Sequence, residues 1–267
     1  MSESEHIHPA PTNVVAFAPE RRERVKQILK ARHAVRVEDL RAELGESTAT
    51  IRRDLHEMEE SGELRRVHGG AISVDLRPIE ARFEAKAASH AAEKQRIAER
   101  AVQMVGPDSR IYLDAGSTCL ELARLLAPRT DITVVTNSLP AIVELAGQGP
   151  RLIVIGGELR PLSQALVGPL STPVLDELYV DRAFVGTFSL SLDAGLTTTD
   201  PAEAFTKERA LTRAREVVLL VDGSKLGTRS FANAGRLDQI DVVITDAELD
   251  EEAATTFANA GVRVLVA

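Results

Sequence analysis

The chain contains a single cysteine, Cys119, among its 267 residues, so no disulfide framework can form within it. No cluster of cysteine and histidine has the spacing of a zinc site, and His6 and His8 alone are too few for one. The longest apolar runs span about half a dozen residues, far fewer than the roughly 20 that a membrane-crossing helix needs. The first 19 residues lack the basic start and the continuous apolar core of a signal peptide. These absences predict a cytoplasmic protein with no membrane segment, no metal and no cofactor.

The stretch STATIRRDLHEM predicts a short amphipathic helix. Ile51, Leu55 and Met58 recur at spacings of four and three residues, which places them on one helix face. At about 100° per residue, the cationic Arg53 falls on the opposite face. Ser47 is a natural N-cap, and a helix N-terminus attracts phosphate oxygens. An ordinary solvated surface helix has the same pattern, so the neighbouring elements must decide between the two interpretations.

The neighbouring elements complete a winged helix-turn-helix pattern, in which one helix enters the major groove of DNA and the wing touches the flanking backbone. Upstream, a first helix is predicted over Glu20 to Arg32, a very short strand around Val35, and a second helix that stops at Gly45. Downstream, Gly69-Gly70 between short apolar runs indicates a β-hairpin. The residues predicted to contact a double-stranded DNA operator are Ser47, Thr48, Ala49, Thr50, Arg52, Arg53, His56, Arg65, Arg66 and His68.

The distribution of charge along the chain favours DNA binding through residues 20–72 alone. The whole chain carries a net charge of −8, whereas residues 20–72 hold 12 Lys and Arg against 11 Asp and Glu. The acidic remainder would repel DNA elsewhere. Binding through phosphate neutralisation is expected to weaken steeply with salt, because it releases counterions.

Seven short apolar runs of strand length occupy the rest of the chain, and most are β-branched and continuous, which indicates strands buried on both faces. They are Ile111–Leu113, Ile132–Val135, Leu152–Ile155, Ala183–Val185, Val217–Val221, Val242–Ile244 and Val262–Val266. Helices are predicted over Glu80–Val105, Thr118–Leu126, Leu139–Ala146, Pro201–Arg215 and Asp250–Ala260. This alternation predicts an α/β domain with a mainly parallel sheet.

Glycine, hydroxyl and charged residues follow five of the predicted strands, where ligands bind in parallel sheets. The five segments are Asp114-Ala115-Gly116-Ser117-Thr118, Thr136-Asn137-Ser138, Gly156-Gly157-Glu158, Gly186-Thr187 and Asp222-Gly223-Ser224-Lys225. Helix N-terminal N–H groups and lysine bind anions, and carboxylates accept hydrogen bonds from sugar hydroxyls. The pattern therefore predicts a site for a small phosphorylated, polyhydroxylated ligand. Each residue alone has an ordinary alternative: Asp114 and Asp222 as loop or capping residues, Lys225 as a surface lysine, and Lys207 as the partner of Glu203 on one helix.

The run VEDLRAELGESTATIRRDLHEMEESGELRRVHGGA resembles the DNA-binding domain of the DeoR family of bacterial transcription regulators. The motifs LDAGST, VVTNSLP, GGELRP, LVGP, GLTT and DGSKLG are similar to that family's sensor domain, which resembles ribose-phosphate isomerase in fold and binds sugar phosphates. The residues that the resemblance assigns to the effector site are Asp114, Gly116, Ser117, Thr118, Thr136, Asn137, Ser138, Gly157, Lys207 and Lys225.

Two positions depart from the family pattern. Cys119 stands where the family usually has a threonine, and we expect it to pack as a helix residue against the sheet. Thr187-Phe188-Ser189 replaces a loop that more often carries a small polar residue and a glycine. The second departure is expected to alter which sugar phosphate fits or to weaken the pocket.

These observations divide the chain into four parts. We expect a disordered leader over residues 1–19, a winged helix-turn-helix domain over 20–75, a linker and connecting helix over 76–95, and an α/β sensor domain over 96–267.

The resemblance implies a DNA-binding transcriptional regulator, a repressor of sugar-metabolism genes whose operator affinity is modulated by a phosphorylated sugar. A homo-oligomer would hold two winged helices at spaced half-sites. Two alternatives stay open: a sugar-phosphate isomerase-like enzyme with Asp114 or Asp222 as proton-transfer base, and an activator or architectural protein that needs no effector.

Overall fold

The computed structural model describes residues 18–32, 34–61, 63–67, 69–73, 80–147 and 149–267. The chain divides into two units, Met1–Pro78 and Ile79–Ala267. Most of the predicted leader, residues 76–79 of the predicted linker and connecting helix, and the predicted DNA-contacting His68 lie outside the described residues. In the described ranges no helix is both long and apolar enough to cross a membrane. No group of three or more potential metal ligands occurs there either.

The first unit is a three-helix winged fold. Its elements are α1 (Ala18–Arg32), β1 (Ala34–Arg36), α2 (Val37–Leu44), α3 (Thr48–Glu60), β2 (Leu64–Val67) and β3 (Gly70–Ser73). The strands form an antiparallel sheet in the order β1-β3-β2, so the predicted hairpin and short strand are confirmed. Gly45 ends α2 at a φ of 69°, which glycine adopts without strain. Ser47 caps α3 as predicted, because its Oγ accepts a hydrogen bond from Thr50 N–H at 3.1 Å.

A buried ion pair fixes α1 against α3. Asp54 on α3 is 1 % exposed, and its carboxylate accepts hydrogen bonds from Arg21 Nε at 2.5 Å and Nη2 at 3.2 Å. Beside this pair, Ile51, Leu55 and Met58 are fully buried in the core of the first unit, as their spacing predicts. With this face of α3 committed to packing, the opposite face is left for solvent or a ligand.

The second unit begins with two short helices and continues as alternating strands and helices. Its helices are α4 (Phe83–Ala88), α5 (Ala91–Val102), α6 (Ser117–Leu126), α7 (Leu139–Leu145), α8 (Thr172–Asp176), α9 (Pro201–Leu211) and α10 (Glu251–Asn259). Its strands are β4 (Arg110–Leu113), β5 (Thr133–Thr136), β6 (Arg151–Val154), β7 (Glu158–Arg160), β8 (Ala165–Val167), β9 (Val180–Val185), β10 (Ser189–Ser191), β11 (Gly195–Thr198), β12 (Ala214–Leu220), β13 (Ala232–Gly235), β14 (Val242–Thr245) and β15 (Arg263–Val266). Short 3₁₀ turns cover Pro169–Ser171, Gly223–Lys225 and Leu237–Gln239.

Seven strands form one fully parallel sheet in the order β15-β14-β12-β9-β4-β5-β6. All seven predicted apolar runs fall in this sheet, so the α/β prediction is confirmed. Two apolar clusters cover its two faces, and alternate residues of one strand enter different clusters: Ile111 and Leu113 enter one, Tyr112 the other. Burial on both sides explains why the runs are continuous rather than alternating.

Two predicted helices are shorter than expected. The helix predicted over Glu80–Val105 is interrupted between α4 and α5, where His90 has a φ of 50°. The amino group of Lys94 donates to the carbonyls of Lys86 and Ser89, which satisfies the carbonyls freed by this break. The helix predicted to reach Arg215 ends at Leu211, because β12 already begins at Ala214 and pairs with β9. Five short strands outside the main sheet (β7, β8, β10, β11 and β13) were not predicted, since most of them carry polar residues or glycine instead of a continuous apolar run.

Candidate functional site: an exposed helix face and a charged cleft

In the first unit, the exposed face of α3 carries most of the residues predicted to contact DNA. Arg52, Arg53 and His56 are exposed, and Ala49 near the N-terminus of the helix is exposed too. Thr48 and Thr50 are half-buried, and the Thr50 hydroxyl lies 2.8 Å from that of the exposed Ser47. This face therefore presents two guanidinium groups beside an N-terminus lined with small side chains, which is suited to phosphates and base edges.

The wing carries one further predicted residue whose side chain is described. Arg66 on β2 is exposed, and its backbone N–H donates to Glu59 Oε1 at 2.9 Å, which fixes the wing to α3. Arg65 lies on the same strand, but its side chain is outside the described part of the chain. DNA contact by all ten residues stays a prediction.

In the second unit, one cleft opens at the carboxyl ends of four adjacent central strands, β12, β9, β4 and β5. Of the ten predicted effector residues, seven line it: Asp114, Gly116, Ser117, Thr118, Asn137, Lys207 and Lys225. Four of the five predicted polar segments therefore meet at one place, as the parallel arrangement requires. Their role in binding stays a prediction.

Three predicted effector residues do not line the cleft. The Thr136 hydroxyl is buried and donates to the Leu113 carbonyl at 2.6 Å, so it ties β5 to β4. Ser138 caps α7 through the Ala141 N–H at 3.3 Å. At Gly157 a Cβ atom would lie 2.8 Å from the backbone of Val167, so this glycine serves the close packing of β7 and β8. All three positions shape the scaffold.

An ion pair between Asp114 and Lys207 crosses the floor of the cleft. Asp114 follows β4, Lys207 lies on α9, and their side chains are 5 % and 9 % exposed. The Asp114 carboxylate also accepts the Gly186 N–H at 3.2 Å. Burial by itself lowers the pKa of the Lys207 ammonium, but the negative charge of Asp114 outweighs it and holds that pKa above its ordinary value. Lys207 therefore stays cationic and pairs with Asp114, not with Glu203 as the helical spacing allows.

One end of the cleft is built to receive an anion. Gly116 precedes α6 at a φ of 129°, and no side chain caps the helix, so the first N–H groups of α6 face the cleft unpaired within the described residues. Lys225 lies beside them, with its amino nitrogen 5.4 Å from the centre of the Phe188 ring. Phe188 belongs to the loop in which the chain departs from the family pattern, so this departure lies directly in the cleft.

Lys94 is a second cation in the cleft lining, and it was not among the residues predicted from the sequence. It is 3 % exposed, and burial lowers the pKa of its ammonium, while the nearby charges of Asp222 and Lys225 act on it in opposite directions. Neither Lys94 nor Lys225 has a carboxylate within salt-bridge distance among the described residues. A signal was present: Lys94 falls on the apolar stripe of α5 formed by Ile97, Ala98 and Ala101, where a solvated lysine would not lie.

A network of charged groups centred on Glu80 forms another part of the cleft wall. Its side chain is 4 % exposed and accepts hydrogen bonds from Arg160 at 2.5 and 3.1 Å, from Lys86 at 2.8 Å, and from the Thr199 hydroxyl. Arg160 also approaches Glu203 at 3.6 Å. Burial alone would raise the pKa of Glu80, but the hydrogen bonds from Arg160 and Lys86 prevail and lower it to about 2. No local sequence pattern marks this network, because Arg160 and Thr199 lie 80 and 119 residues away from Glu80.

Acid is expected to weaken this wall. The folded pKa of Glu80 lies below its ordinary value of 4.5, so its stabilising effect is complete above about pH 5 and disappears as the pH falls towards about 2. Glu80→Gln should therefore lower the melting temperature at pH 7 and lower it less at pH 3.5. Thermal unfolding of both proteins across this range measures the difference. A melting-temperature gap that stays constant with pH would contradict a contribution from the ionised carboxylate.

Comparison with known proteins places both units in one family. Residues 21–77 match the family described as the DeoR-like helix-turn-helix domain, and residues 89–247 match the DeoR C terminal sensor domain. The chain is 38 % identical over 246 residues to the HTH-type transcriptional regulator GlpR of Haloferax volcanii, covering 92 % of this chain and 96 % of that protein. It is 33 % identical over 255 residues to the putative aga operon transcriptional repressor of Escherichia coli O157:H7, covering 94 % and 95 %.

Among solved structures, the ribose 5-phosphate isomerase A of Methanocaldococcus jannaschii is similar to about half of the chain. The sequence identity is 24 %, the TM-score is 0.40, and the match covers 52 % of this chain and 55 % of the isomerase. With a helix-turn-helix domain and a sensor domain that together span most of its length, the chain belongs to the DeoR family of transcription regulators.

Proposed function

We propose that this regulator represses genes of sugar metabolism and releases its operator when a sugar phosphate binds the cleft of the second unit. The observation that carries the proposal is the uncapped N-terminus of α6, which faces a cleft lined by Lys94 and Lys225, two cations with no carboxylate within salt-bridge distance in the described part of the chain. Repression is favoured over activation because the E. coli relative is described as a repressor. Such a protein acts on DNA in the cytoplasm, and we expect it to act as a homo-oligomer on paired half-sites.

The cleft holds both kinds of group that a phosphorylated sugar requires. Helix N–H groups of α6 and two ammonium groups favour a phosphate dianion. Glu203 and Asn137 also line the cleft and offer carboxylate and amide groups to sugar hydroxyls. Asn137 is held rigidly, because its Oδ1 accepts from Tyr112 OH at 3.0 Å and its Nδ2 donates to the Leu166 carbonyl at 3.1 Å. Preorganised polar groups of this kind lower the entropic cost of binding.

The DNA-binding part of the proposal rests on α3. Its outward face carries Arg52 and Arg53, while Asp54 on the same helix is buried in the ion pair with Arg21. Phosphate contacts would give affinity and salt dependence, and base contacts would give operator choice.

A phosphosugar screen followed by operator binding tests the proposal. Melting temperature is measured with ribose 5-phosphate, fructose 1-phosphate, fructose 6-phosphate, the matching free sugars and inorganic phosphate. A ligand at 100 times its Kd stabilises the folded protein by about 2.7 kcal/mol, which is readily measured. Operator binding is then compared with and without each stabilising compound. A protein that no phosphosugar stabilises, or whose operator binding no phosphosugar changes, would exclude this function. Turnover of these phosphates would instead support the isomerase alternative.

Substitution of Lys94 and Lys225, the two cleft cations without a carboxylate partner among the described residues, should separate effector binding from DNA binding. Lys225→Ala and Lys94→Ala each remove one charge from the anion end, so each should weaken phosphosugar binding by about 10-fold or more. Operator affinity without effector should stay unchanged in Lys225→Ala. Arg100→Ala, an exposed cation on α5 away from the cleft lining, is the matched control. Isothermal calorimetry and operator titration provide the two measurements, and loss of operator binding in folded Lys225→Ala would contradict the separation.

A further inference from the structure

We propose that Glu80 is a positioning residue that couples the cleft to operator binding, by fastening the start of the second unit, residues 80–90 (the lead-in segment), to the cleft wall. This inference rests on the proposed function and adds to it the residues that transmit the signal. Glu80 comes two residues after Pro78, the last residue of the first unit, so the lead-in segment is where the chain passes from the DNA-binding unit to the sensor.

The lead-in segment is held by side chains rather than by a strand ladder. Glu80 and Lys86 pair with each other inside the segment, at 2.8 Å. The Glu80 carboxylate then reaches out of the segment to Arg160 on β7 and to Thr199 beyond β11. At the far end, Lys94 binds the carbonyls of Lys86 and Ser89. Phe83 of α4, which is 5 % exposed, also packs in the apolar core, so the charged groups set the position of a segment that the core already anchors.

The same charged groups form part of the cleft lining. Glu80, Lys86 and Lys94 all line it, and Glu203 on the facing α9 does as well. A polyol phosphate in the cleft would therefore change the electrostatic environment of the groups that hold the lead-in segment, without requiring Glu80 itself as a contact. Free energies of coupling in such systems are typically about 1–3 kcal/mol, comparable with one charged hydrogen bond gained or lost.

A second path joins the network to the floor of the cleft. Arg160 contacts Asp200 at 3.2 Å and Glu203 at 3.6 Å. Asp200 caps the N-terminus of α9, the helix that carries Lys207 to its pair with Asp114. A ligand that displaces the charged groups on α9 thus acts on Arg160, and Arg160 acts on Glu80. Glu80 is the point at which these contacts reach the lead-in segment.

The test compares Glu80→Gln with wild type by two measurements: the Kd of a phosphosugar and the ratio of operator Kd with and without it. Glutamine keeps the size of the side chain and removes its charge. We expect the Kd of the phosphosugar to stay within about 3-fold of the wild-type value. The ratio of operator Kd with phosphosugar to operator Kd without it should fall below about 2. In allosteric regulators this ratio is typically about 5 to 150. The phosphosugar is whichever of ribose 5-phosphate, fructose 1-phosphate and fructose 6-phosphate stabilises wild type most.

Two further variants keep the test decisive. Arg160→Lys retains the charge but loses the two-nitrogen contact, and it should lower the ratio in the same direction even if Glu80→Gln does not fold. Glu216→Gln is the matched control, because Glu216 pairs with Arg182 outside the cleft, and its ratio should equal that of wild type.

The outcomes separate this inference from the proposed function. If Glu80→Gln or Arg160→Lys folds and keeps the wild-type ratio of operator Kd with and without phosphosugar, the coupling role of Glu80 is overturned. Loss of phosphosugar binding in Glu80→Gln also overturns it, because Glu80 would then be a ligand contact. A wild-type protein that responds to no phosphosugar removes the proposed function itself, whatever the variants do. A merely structural role would lower the melting temperature of Glu80→Gln without changing the ratio.

Discussion

Replacement of Arg52 and Arg53 together by alanine is expected to reduce operator affinity by roughly a thousandfold at physiological salt. Both side chains are exposed on α3, on the side opposite its buried residues, and neither forms an ion pair among the described residues. A good guanidinium contact to a base or a phosphate contributes about 1–3 kcal/mol, so two of them account for about 4 kcal/mol. Because these residues do not pack in the core, melting temperature and phosphosugar affinity should stay unchanged.

Salt dependence distinguishes direct contact from an indirect effect. If both arginines neutralise phosphates, the slope of log affinity against log salt should fall by about two in the double variant. Arg96→Ala with Arg100→Ala removes the same charge from exposed positions on α5 and serves as control. Equal losses in the two double variants would show that net charge, and not the face of α3, governs binding. Fluorescence anisotropy with an operator fragment measures both quantities.

Lys207→Met is expected to destabilise the second unit by about 3 kcal/mol and to abolish the effector response. The substitution leaves the carboxylate of the buried Asp114 side chain, which is 5 % exposed, without its counter-ion. Breaking a buried ion pair by removing one partner typically costs about 3–5 kcal/mol, because the remaining charge stays desolvated. In a unit of this size, that corresponds to a fall in melting temperature of roughly 6–12 °C.

A double substitution isolates the electrostatic origin of this loss. Asp114→Asn combined with Lys207→Met removes both charges and should recover most of the stability, because no unpaired charge remains. It should not recover phosphosugar binding, since the floor of the cleft has lost its polar pair. Lys225→Ala, at a half-buried cation without a carboxylate partner among the described residues, should change the melting temperature far less. If Lys207→Met melts like wild type, Asp114 has another source of stabilisation and the pair is not the basis of the site.

Local patterns in the sequence were sufficient for the elements whose residues interact with near neighbours. The spacing of Ile51, Leu55 and Met58 predicts one buried helix face because a helix repeats every 3.6 residues. Ser47 is recognisable as a cap because the N–H that donates to its hydroxyl, that of Thr50, lies three residues away. The seven apolar runs identify the parallel sheet because strands buried on both faces need continuous apolar residues.

Patterns of this kind were misleading where a distant partner decides the conformation. The predicted helix over residues 80–105 contains no glycine or proline, yet it breaks at His90, and the freed carbonyls are satisfied by the buried Lys94. Gly157 looked like a glycine beside a ligand, but its small size is required by the backbone of β8. Helical spacing offered Glu203 as partner for Lys207, whereas the fold brings Asp114 from the loop after β4, 93 residues away in sequence.

The sequence by itself determined the two architectures, the face of α3 that is left exposed, and the loops from which the cleft is built. These features follow from the periodicity of helices and strands, and from the rule that the carboxyl ends of parallel strands share one edge of a sheet. Only the tertiary structure decided which charged groups neutralise one another. It pairs Lys207 with Asp114 and Glu80 with Arg160, and it leaves Lys94 and Lys225 without carboxylate partners among the described residues. Charge pairing depends on distances of a few ångströms between residues that are far apart in the chain. Local sequence patterns contain no information about those distances.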